Sequence, residues 1–504
     1  MKKSLICLIA LCSPLHAQTG GDLLRNALAP LWPVRQATQG PYDVKVVAHA
    51  QADECFVGLG QPSPGTPPCA QGRPKVDDAY VWGMTAVDDV VYFGTASNVL
   101  CGSGNASLTS GTQNIPFAGG PTLSSVKVCE KDLSQYSAHV ERGFPGDWRP
   151  PHIYRYDPAG GLAEITPDDS LIQRTVGLRA AGHSGGVVLL AGPAVVSPTT
   201  PQPAVNVFAF DAASGAFLGS KAMPEAADIR AMQQVGDDLY VGVLRSSGGG
   251  SVLRWTGSAA NPFQFQEVGT LPAQAASFAV HEGRLFVGTW PPPRPERYSA
   301  GEMPPVAGIY MSRPLDQGPL SEADRDQWQE VWKVTDYEPD PVTAMVYAIG
   351  AMASFDGHLY WGTLNLPFMG YAAHLITYGF APEDLAAAPL NTFRAASLLR
   401  GRDFGGPAPK VEVVYGFDKA QVFIPQGTEQ LNDRTVTTGI WQEQPNKTGK
   451  PLYGDAGFGT ISNAYIWSMG VYENKLFIGT MDTSFNTRVI MQTIPATILA
   501  RVVG

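Results

Sequence analysis

The sequence predicts an all-β fold, a β-propeller of seven blades with six as the alternative. Each blade would have four antiparallel strands, with short helical insertions at the rim. Three observations predict it. A hairpin pattern recurs along the chain, at 81–95, 229–243, 277–289, 349–363 and 466–480, with a weaker copy at 180–192. Its register repeats: a Met lies ten residues before a closing Gly at Met84 and Gly94, Met232 and Gly242, Met352 and Gly362, and Met469 and Gly479. Finally, 16% charged residues with 55 Gly and 42 Pro in 504 residues suit many short strands joined by turns.

Taken in chain order, residues 1–17 read as an export signal. Lys2 and Lys3 precede an apolar run at 5–11, and Leu15-His16-Ala17 offers a cleavage site before Gln18. The run is too short to cross a bilayer, and no later window is long and apolar enough. A periplasmic or secreted monomer is expected. The bulky Leu11 before Cys12 argues against lipoprotein processing. Residues 18–76 form an N-terminal extension: an amphipathic piece (Leu23, Leu24, Leu28, Leu31), a strand at 42–50 that would help close the ring, and a Pro- and Gly-rich loop. Four cysteines follow the signal, Cys55, Cys69, Cys101 and Cys129. An even number in an exported chain reads as two disulfides, of three possible connectivities. Cys55–Cys69 with Cys101–Cys129 is expected because each closes a local loop. No Cys-x-x-Cys and no His at ligand spacing accompanies them, so neither metal nor cofactor is expected.

The propeller is assigned to 77–504. One residue before the Met position stand Gly83, Ala231, Ala351 and Ser468, with Ser277 before Phe278 and Ala181 in the weak copy. Neighbours on a strand face opposite ways, so one face is large and the other small, as if crowded by a second backbone. The polar breaks Asp88-Asp89, Gly236-Asp237, Glu282-Gly283, Asp356-Gly357 and Glu473-Asn474 suit tight hairpin turns. Third strands are expected at 152–155, 205–208, 252–255, 308–311 and 374–377, and a fourth at 328–334. A further blade would lie near 411–423. Helical sequence is expected at 382–385 and 391–399, and a capped turn at Ser321-Glu322-Ala323-Asp324.

Turn-flanked Leu-Tyr-Val-Gly and Trp-Ser-Met-Gly-Val-Tyr elements, with Gly457-Phe458-Gly459-Thr460, resemble bacterial exported kelch-like β-propeller repeat proteins. The resemblance lies at the level of repeats from about residue 77. It departs from true kelch units, whose Gly-Gly doublet and spaced Tyr and Trp do not align here. It implies a fold and no activity, since propellers host enzymes, binders and scaffolds alike.

Candidate ligand-binding residues sit at the starts of inner strands: Tyr80 and Trp82, Tyr465 and Trp467, and Arg230 at the matching register. Aromatic faces with an Arg at a channel mouth suit a sugar or peptide. Against this, Trp82 and Trp467 share the face of the Met residues, which suits blade packing. His183 lies on an inner strand, where a buried structural role competes with a catalytic one. Glu338 and Asp340 are candidate glycosidase acids, but Pro339 and Pro341 argue for a loop. Gly182-His183-Ser184-Gly185-Gly186 matches a nucleophile elbow on paper, yet the strand-like 187–190 follows where that motif needs a helix.

A net charge of −10 excludes nucleic acid as a natural partner. The favoured expectation is a non-catalytic binding module of the cell envelope, taking a glycan, a peptide or an envelope protein. The alternative is a carbohydrate-active enzyme, lyase or hydrolase, with its site in the propeller funnel.

Overall fold

The computed structural model describes residues 52, 54–56, 65–75, 80–97, 149–196, 202–292, 304–366, 369–379, 387–407, 409–431 and 434–484. The expected leader, the strand at 42–50, the Cys101–Cys129 pairing and the helix at 382–385 lie outside these residues. A short ladder of β1 (Cys55–Phe56) and β2 (Arg73–Pro74) holds the first loop together with the Cys55–Cys69 disulfide, whose Cα atoms are 5.6 Å apart.

Four-stranded antiparallel sheets then follow one another in a propeller-like arrangement. The first joins β3 (Tyr80–Val87), β4 (Val90–Ala96), β5 (Ile153–Asp157) and β6 (Gly161–Glu164). The second holds β7 (Ala180–Ser184), β8 (Val187–Pro193), β9 (Val205–Asp211) and β10 (Phe217–Met223). The third holds β11 (Ala226–Val235), β12 (Asp238–Arg245), β13 (Gly250–Trp255) and β14 (Phe265–Leu271). The fourth holds β15 (Gln274–His281), β16 (Arg284–Trp290), β17 (Gly308–Pro314) and β18 (Gln329–Lys333).

After helix α1 (Pro341–Ala344), the fifth blade uses β19 (Tyr347–Phe355) and β20 (His358–Asn365). Helices α2 (Met369–Tyr378) and α3 (Ala388–Asn391) intervene before its outer strands β21 (Leu398–Arg402) and β22 (Lys410–Gly416). A separate long ribbon, β23 (Lys419–Leu431) with β24 (Arg434–Pro445), follows. The short β25 (Gly454–Asp455) runs parallel to β22, and the hairpin of β26 (Asn463–Tyr472) and β27 (Lys475–Asp482) makes the sixth spoke.

Among the described residues there are six inner hairpins, the count held as the alternative. The stretch at 411–423 supplies no inner hairpin: it is the outer strand of blade five and the root of the ribbon. Residues 374–377, expected as a strand, lie in α2, and the third strand of that blade is β21. A short apolar run does not distinguish strand from helix, and here Gly370, Ala373, His374 and Tyr378 bury one helical face. Helix at 391–399 is likewise corrected, since α3 stops at Asn391. The expected turn forms at Glu322–Asp324, where the Asp324 carboxylate accepts the backbone N–H of Ser321 (2.8 Å).

The inner strands β3, β7, β11, β15, β19 and β26 lie side by side in that order. Apolar clusters fill the wedges between blades. Leu189, Ala209, Ile229, Val241 and Leu253 pack between blades two and three. Phe286, Ile309, Trp332, Ile349 and Trp361 pack between blades four and five. Near the axis the backbones nearly touch. A Cβ on Gly83 would lie 2.7 Å from the carbonyl carbon of Ala180, and one on Gly242 would strike the Ala275 carbonyl. This crowding explains the row of small residues. Replacing Gly83 with Val is expected to cost about 1–3 kcal/mol or more by overpacking, measured as a drop in unfolding free energy by urea titration.

Candidate functional site

Five of the six hairpins share one local irregularity, which β7 and β8 lack. Val81 pairs with Thr95 and Gly83 with Gly94, so Trp82 is an extra residue opposite a single step of β4. Arg230 is extra in β11 and Trp467 in β26, at the same place in the repeat. Ala276 in β15 and a shift between Ile349 and Met352 complete the set. A bulge inserts one residue, breaks the two-residue alternation and re-aims side chains. The face shared with the Met residues therefore does not carry across to Trp82 and Trp467.

Around these bulges the blades converge on one cluster at the starting ends of the inner strands. Asp228, two residues before Arg230, is its hub. One carboxylate oxygen accepts the backbone N–H of Ile229 (2.9 Å). The other accepts Arg179 Nη1 (2.7 Å) and Gln274 Nε2 (3.0 Å), with Arg230 Nε 3.9 Å away. Arg230 Nε donates to Gln274 Oε1 (3.2 Å). A chain of hydrogen bonds thus links blades two, three and four.

Aromatic rings line this chain. The Arg179 guanidinium stacks 4.6 Å over Trp82, and that of Arg230 stacks 3.1 Å over Trp290. Trp290 meets Tyr465 edge-on at 5.9 Å, and Tyr465 lies 4.8 Å from Trp467. Burial pushes the Tyr465 phenol up, while the charges of Arg230 and Arg179 draw it back. Arg179, Asp228 and Arg230 keep 16, 18 and 15% of their side-chain surface, so they are largely desolvated yet reachable.

Of the residues singled out in the sequence, Trp82, Arg230, Tyr465 and Trp467 join this cluster. Tyr80 occupies β3 opposite Ala96. His183 does not join. It lies four residues along β7 from Arg179, roughly 13 Å at strand rise, toward the turn end. There its Nδ1 is 3.0 Å from Thr85 Oγ1. Burial pushes its imidazole below the usual value, with Asp88 opposing in part. His281, near the same end, holds Ser354 Oγ at 2.9 Å from Nδ1 and is lowered chiefly by burial. At this end the third to sixth hairpins line a hollow of ≈ 470 Å³, with Gln233, Gln234, Phe278, Met352, Ser354 and Met469 on its wall.

The cluster's other members, Arg179, Asp228, Gln274 and Trp290, were not legible beforehand. Each starts an inner strand or ends the next one, and that position was the available signal. The elbow-like 182–186 is a hairpin turn, with Gly185 at φ 54° and Gly186 at φ 76°. No group of three or more His, Cys, Asp or Glu suited to a metal occurs among the described residues.

Glu338 and Asp340 are fully buried and belong to the rim, not the channel. Glu338 accepts both Arg394 Nε (2.9 Å) and Nη2 (3.0 Å), and the Tyr347 hydroxyl at 3.0 Å. Asp340 caps α1 through the Thr343 N–H (2.7 Å), sits 2.8 Å from His374 Nε2 and accepts the Phe423 N–H. Burial raises the Asp340 carboxyl, but His374 and these donors hold it below the usual range. The network fastens α1, α2 and the β23–β24 ribbon to blade five.

Two predictions follow from these buried groups. Arg394→Met leaves Glu338 buried without its counter-charge and is expected to cost about 3–5 kcal/mol, read by denaturant unfolding. His183 and His281 have folded values below the unfolded one, so each contributes stability fully present above about pH 6.5 and lost as pH falls below it. Unfolding free energy should rise with pH across that window, and the slope should flatten in a His183→Asn, His281→Gln double variant.

No family model matches the chain, and no curated protein matches it. Solved structures do resemble it at low identity. An exo-β-1,3-galactanase from Clostridium thermocellum is 8% identical, with 57% of this chain and 58% of that one covered and a TM-score of 0.29. The match thus spans little more than half of that enzyme. A Phanerochaete chrysosporium exo-β-1,3-galactanase with β-1,3-galactotriose is 10% identical, covering 79% and 90%, with a TM-score of 0.31. A GH43_1 enzyme from Xanthomonas citri complexed with xylose is 12% identical, covering 58% and 82%, with a TM-score of 0.27. The likeness is one of fold. These neighbours are named as galactanases and a GH43_1 enzyme, which runs against the expectation of a non-catalytic binding module; at these TM-scores the likeness assigns no role to this chain.

Proposed function

We propose that this chain is a carbohydrate-active enzyme whose site is the cluster at the starting ends of its inner strands. The observation that carries the reading is the hydrogen-bonded run Arg179–Asp228–Gln274–Arg230 laid against Trp82, Trp290 and Tyr465. Sugar rings present apolar C–H faces and polar rims. Flat aromatic walls with a few convergent donors and acceptors match both.

The groups in the cluster able to carry a proton are Asp228 and Tyr465. Asp228 has its oxygens engaged by three donors, which suits it to hold Arg179 and Gln274 in place. Tyr465 stands where two guanidinium charges act on its phenol. Hydrolysis by paired carboxylates needs a second carboxyl facing the bond, and Asp228 is the carboxylate hydrogen-bonded into the cluster among the described residues. Elimination needs a group that takes the proton from the carbon beside a carbonyl and returns a proton to the leaving oxygen, with a cation for the charge that develops; Tyr465 is the candidate for the first role and the arginines for the second.

The test is a panel of neutral and acidic polysaccharides incubated with the purified chain. New reducing ends alone report hydrolysis; new reducing ends with ultraviolet absorbance of an unsaturated product report elimination. Trp290→Ala and Tyr465→Phe should each lower turnover at least about tenfold without loss of fold by circular dichroism. Absence of turnover on every glycan, or variants as active as the parent, would refute the assignment.

A further inference from the structure

We propose that the hollow at the turn end docks a basic segment of a partner polypeptide, taking the stem of an Arg or Lys side chain with its charged head toward the turns. The inference stands apart from the carbohydrate reading, which concerns the opposite end of the inner strands. Its basis is a cavity, the chemistry of its wall and the charge around its mouth. The cavity measures ≈ 470 Å³ and is lined from four neighbouring hairpins. That volume lies in the range of ligand pockets.

The wall has an apolar side and an accepting side. Phe278, Met352 and Met469 supply the first. A methylene stem packs well on such residues, and thioethers adapt to its shape. Gln233 and Gln234 supply the second. Gln233 Nε2 donates to the Gln234 carbonyl (2.8 Å), and Gln234 Nε2 to the Gly236 carbonyl (3.1 Å). These bonds turn both amide nitrogens onto the backbone. Neither side-chain oxygen accepts a hydrogen bond among the described residues. An ammonium or guanidinium brings donors only, which is what two idle acceptors require.

The mouth carries the matching charge. Each of the four lining hairpins turns on an exposed acid: Asp237, Glu282, Asp356 and Glu473. Glu282 accepts the Asp403 N–H (3.1 Å). Asp237, Asp356 and Glu473 form no salt bridge among the described residues. The cations just past these turns are Arg284, which donates to the Ser312 carbonyl (2.9 Å), and Lys475. A small amine would answer one or two of the carboxylates. A chain with several basic residues reaches more of them, and Val471 and Tyr472, 49 and 62% exposed, offer it apolar surface beside the hollow. Charge complementarity of this kind steers a partner in and fixes its register.

The experiment measures binding of the intact chain to labelled peptides by fluorescence anisotropy. One peptide has Arg at every third residue between Ala and Ser; a second has Gln in place of each Arg. Butylguanidine is titrated alone by calorimetry. The basic peptide should bind at least about tenfold tighter than the Gln peptide, and salt should weaken it. Gly470 lines the hollow, and no atom stands within 4 Å of where its Cβ would lie. Gly470→Phe therefore fills the hollow without displacing a neighbour and should weaken the basic peptide at least about tenfold. Asp237→Asn, Asp356→Asn and Glu473→Gln together should flatten the salt dependence. Both variants should keep the parent melting temperature within a few degrees. Equal binding of the two peptides, or parent-like binding by Gly470→Phe, overturns the proposal. Butylguanidine bound as tightly as the peptide overturns the polypeptide in favour of a small organic cation. Binding of neither overturns the site.

Discussion

The rest of the molecule depends on how closely six inner strands can approach one another around the axis. Where Gly83 faces Ala180 and Gly242 faces Ala275, no Cβ fits. That contact sets the spacing of the blades, and the apolar wedges outside it fill the volume that the fanning sheets open up. It also has a local consequence. In five of the six inner hairpins an extra residue falls beside those small positions, while β7 pairs with β8 without one. The side chains released from the ladder there are Trp82, Arg230 and Trp467. The chemistry of the site therefore grows out of the packing constraint of the fold.

The two ends of the axis are built from different materials. At the turn end, Thr85 with His183 and Ser354 with His281 tie neighbouring blades, and Met352 and Met469 line the hollow there. At the starting end the ties are charged: Asp228 joins blades two, three and four through Arg179 and Gln274. A tie made of ions and amides against aromatic walls can exchange partners with a polar ligand. One made of neutral groups close to the core has less to offer.

Among the described residues the rim carries a fully buried polar network, at Glu338, Asp340, His374 and Arg394. Its donors and acceptors are matched: Arg394 with Glu338, Asp340 with His374 and two backbone N–H groups. Such a network gives little net stability but makes one arrangement of α1, α2 and the ribbon far better than its neighbours. Carboxylates that look catalytic in a sequence serve here to seat an insertion on blade five.

The strand period, the turn residues and the repeated Met-to-Gly register were readable from the chain alone, because each reflects local backbone sterics or the identity of a neighbouring strand. They led to the all-β class, to the inner hairpins and to the left-handed turns at Glu282-Gly283, Asp356-Gly357 and Glu473-Asn474. The helix at 369–378 was not readable, since a four-residue apolar run carries no period of its own. The site was half legible. Trp82, Arg230, Tyr465 and Trp467 could be placed at strand starts by register, but their gathering with Arg179, Asp228, Gln274 and Trp290 could not. Those partners come from different blades, 44 to 49 residues apart along the chain for the bonds that Arg230 and Asp228 make to Gln274 and Arg179. Local sequence records which face a residue takes. Only the closing of the blades around an axis decides which distant residue it meets.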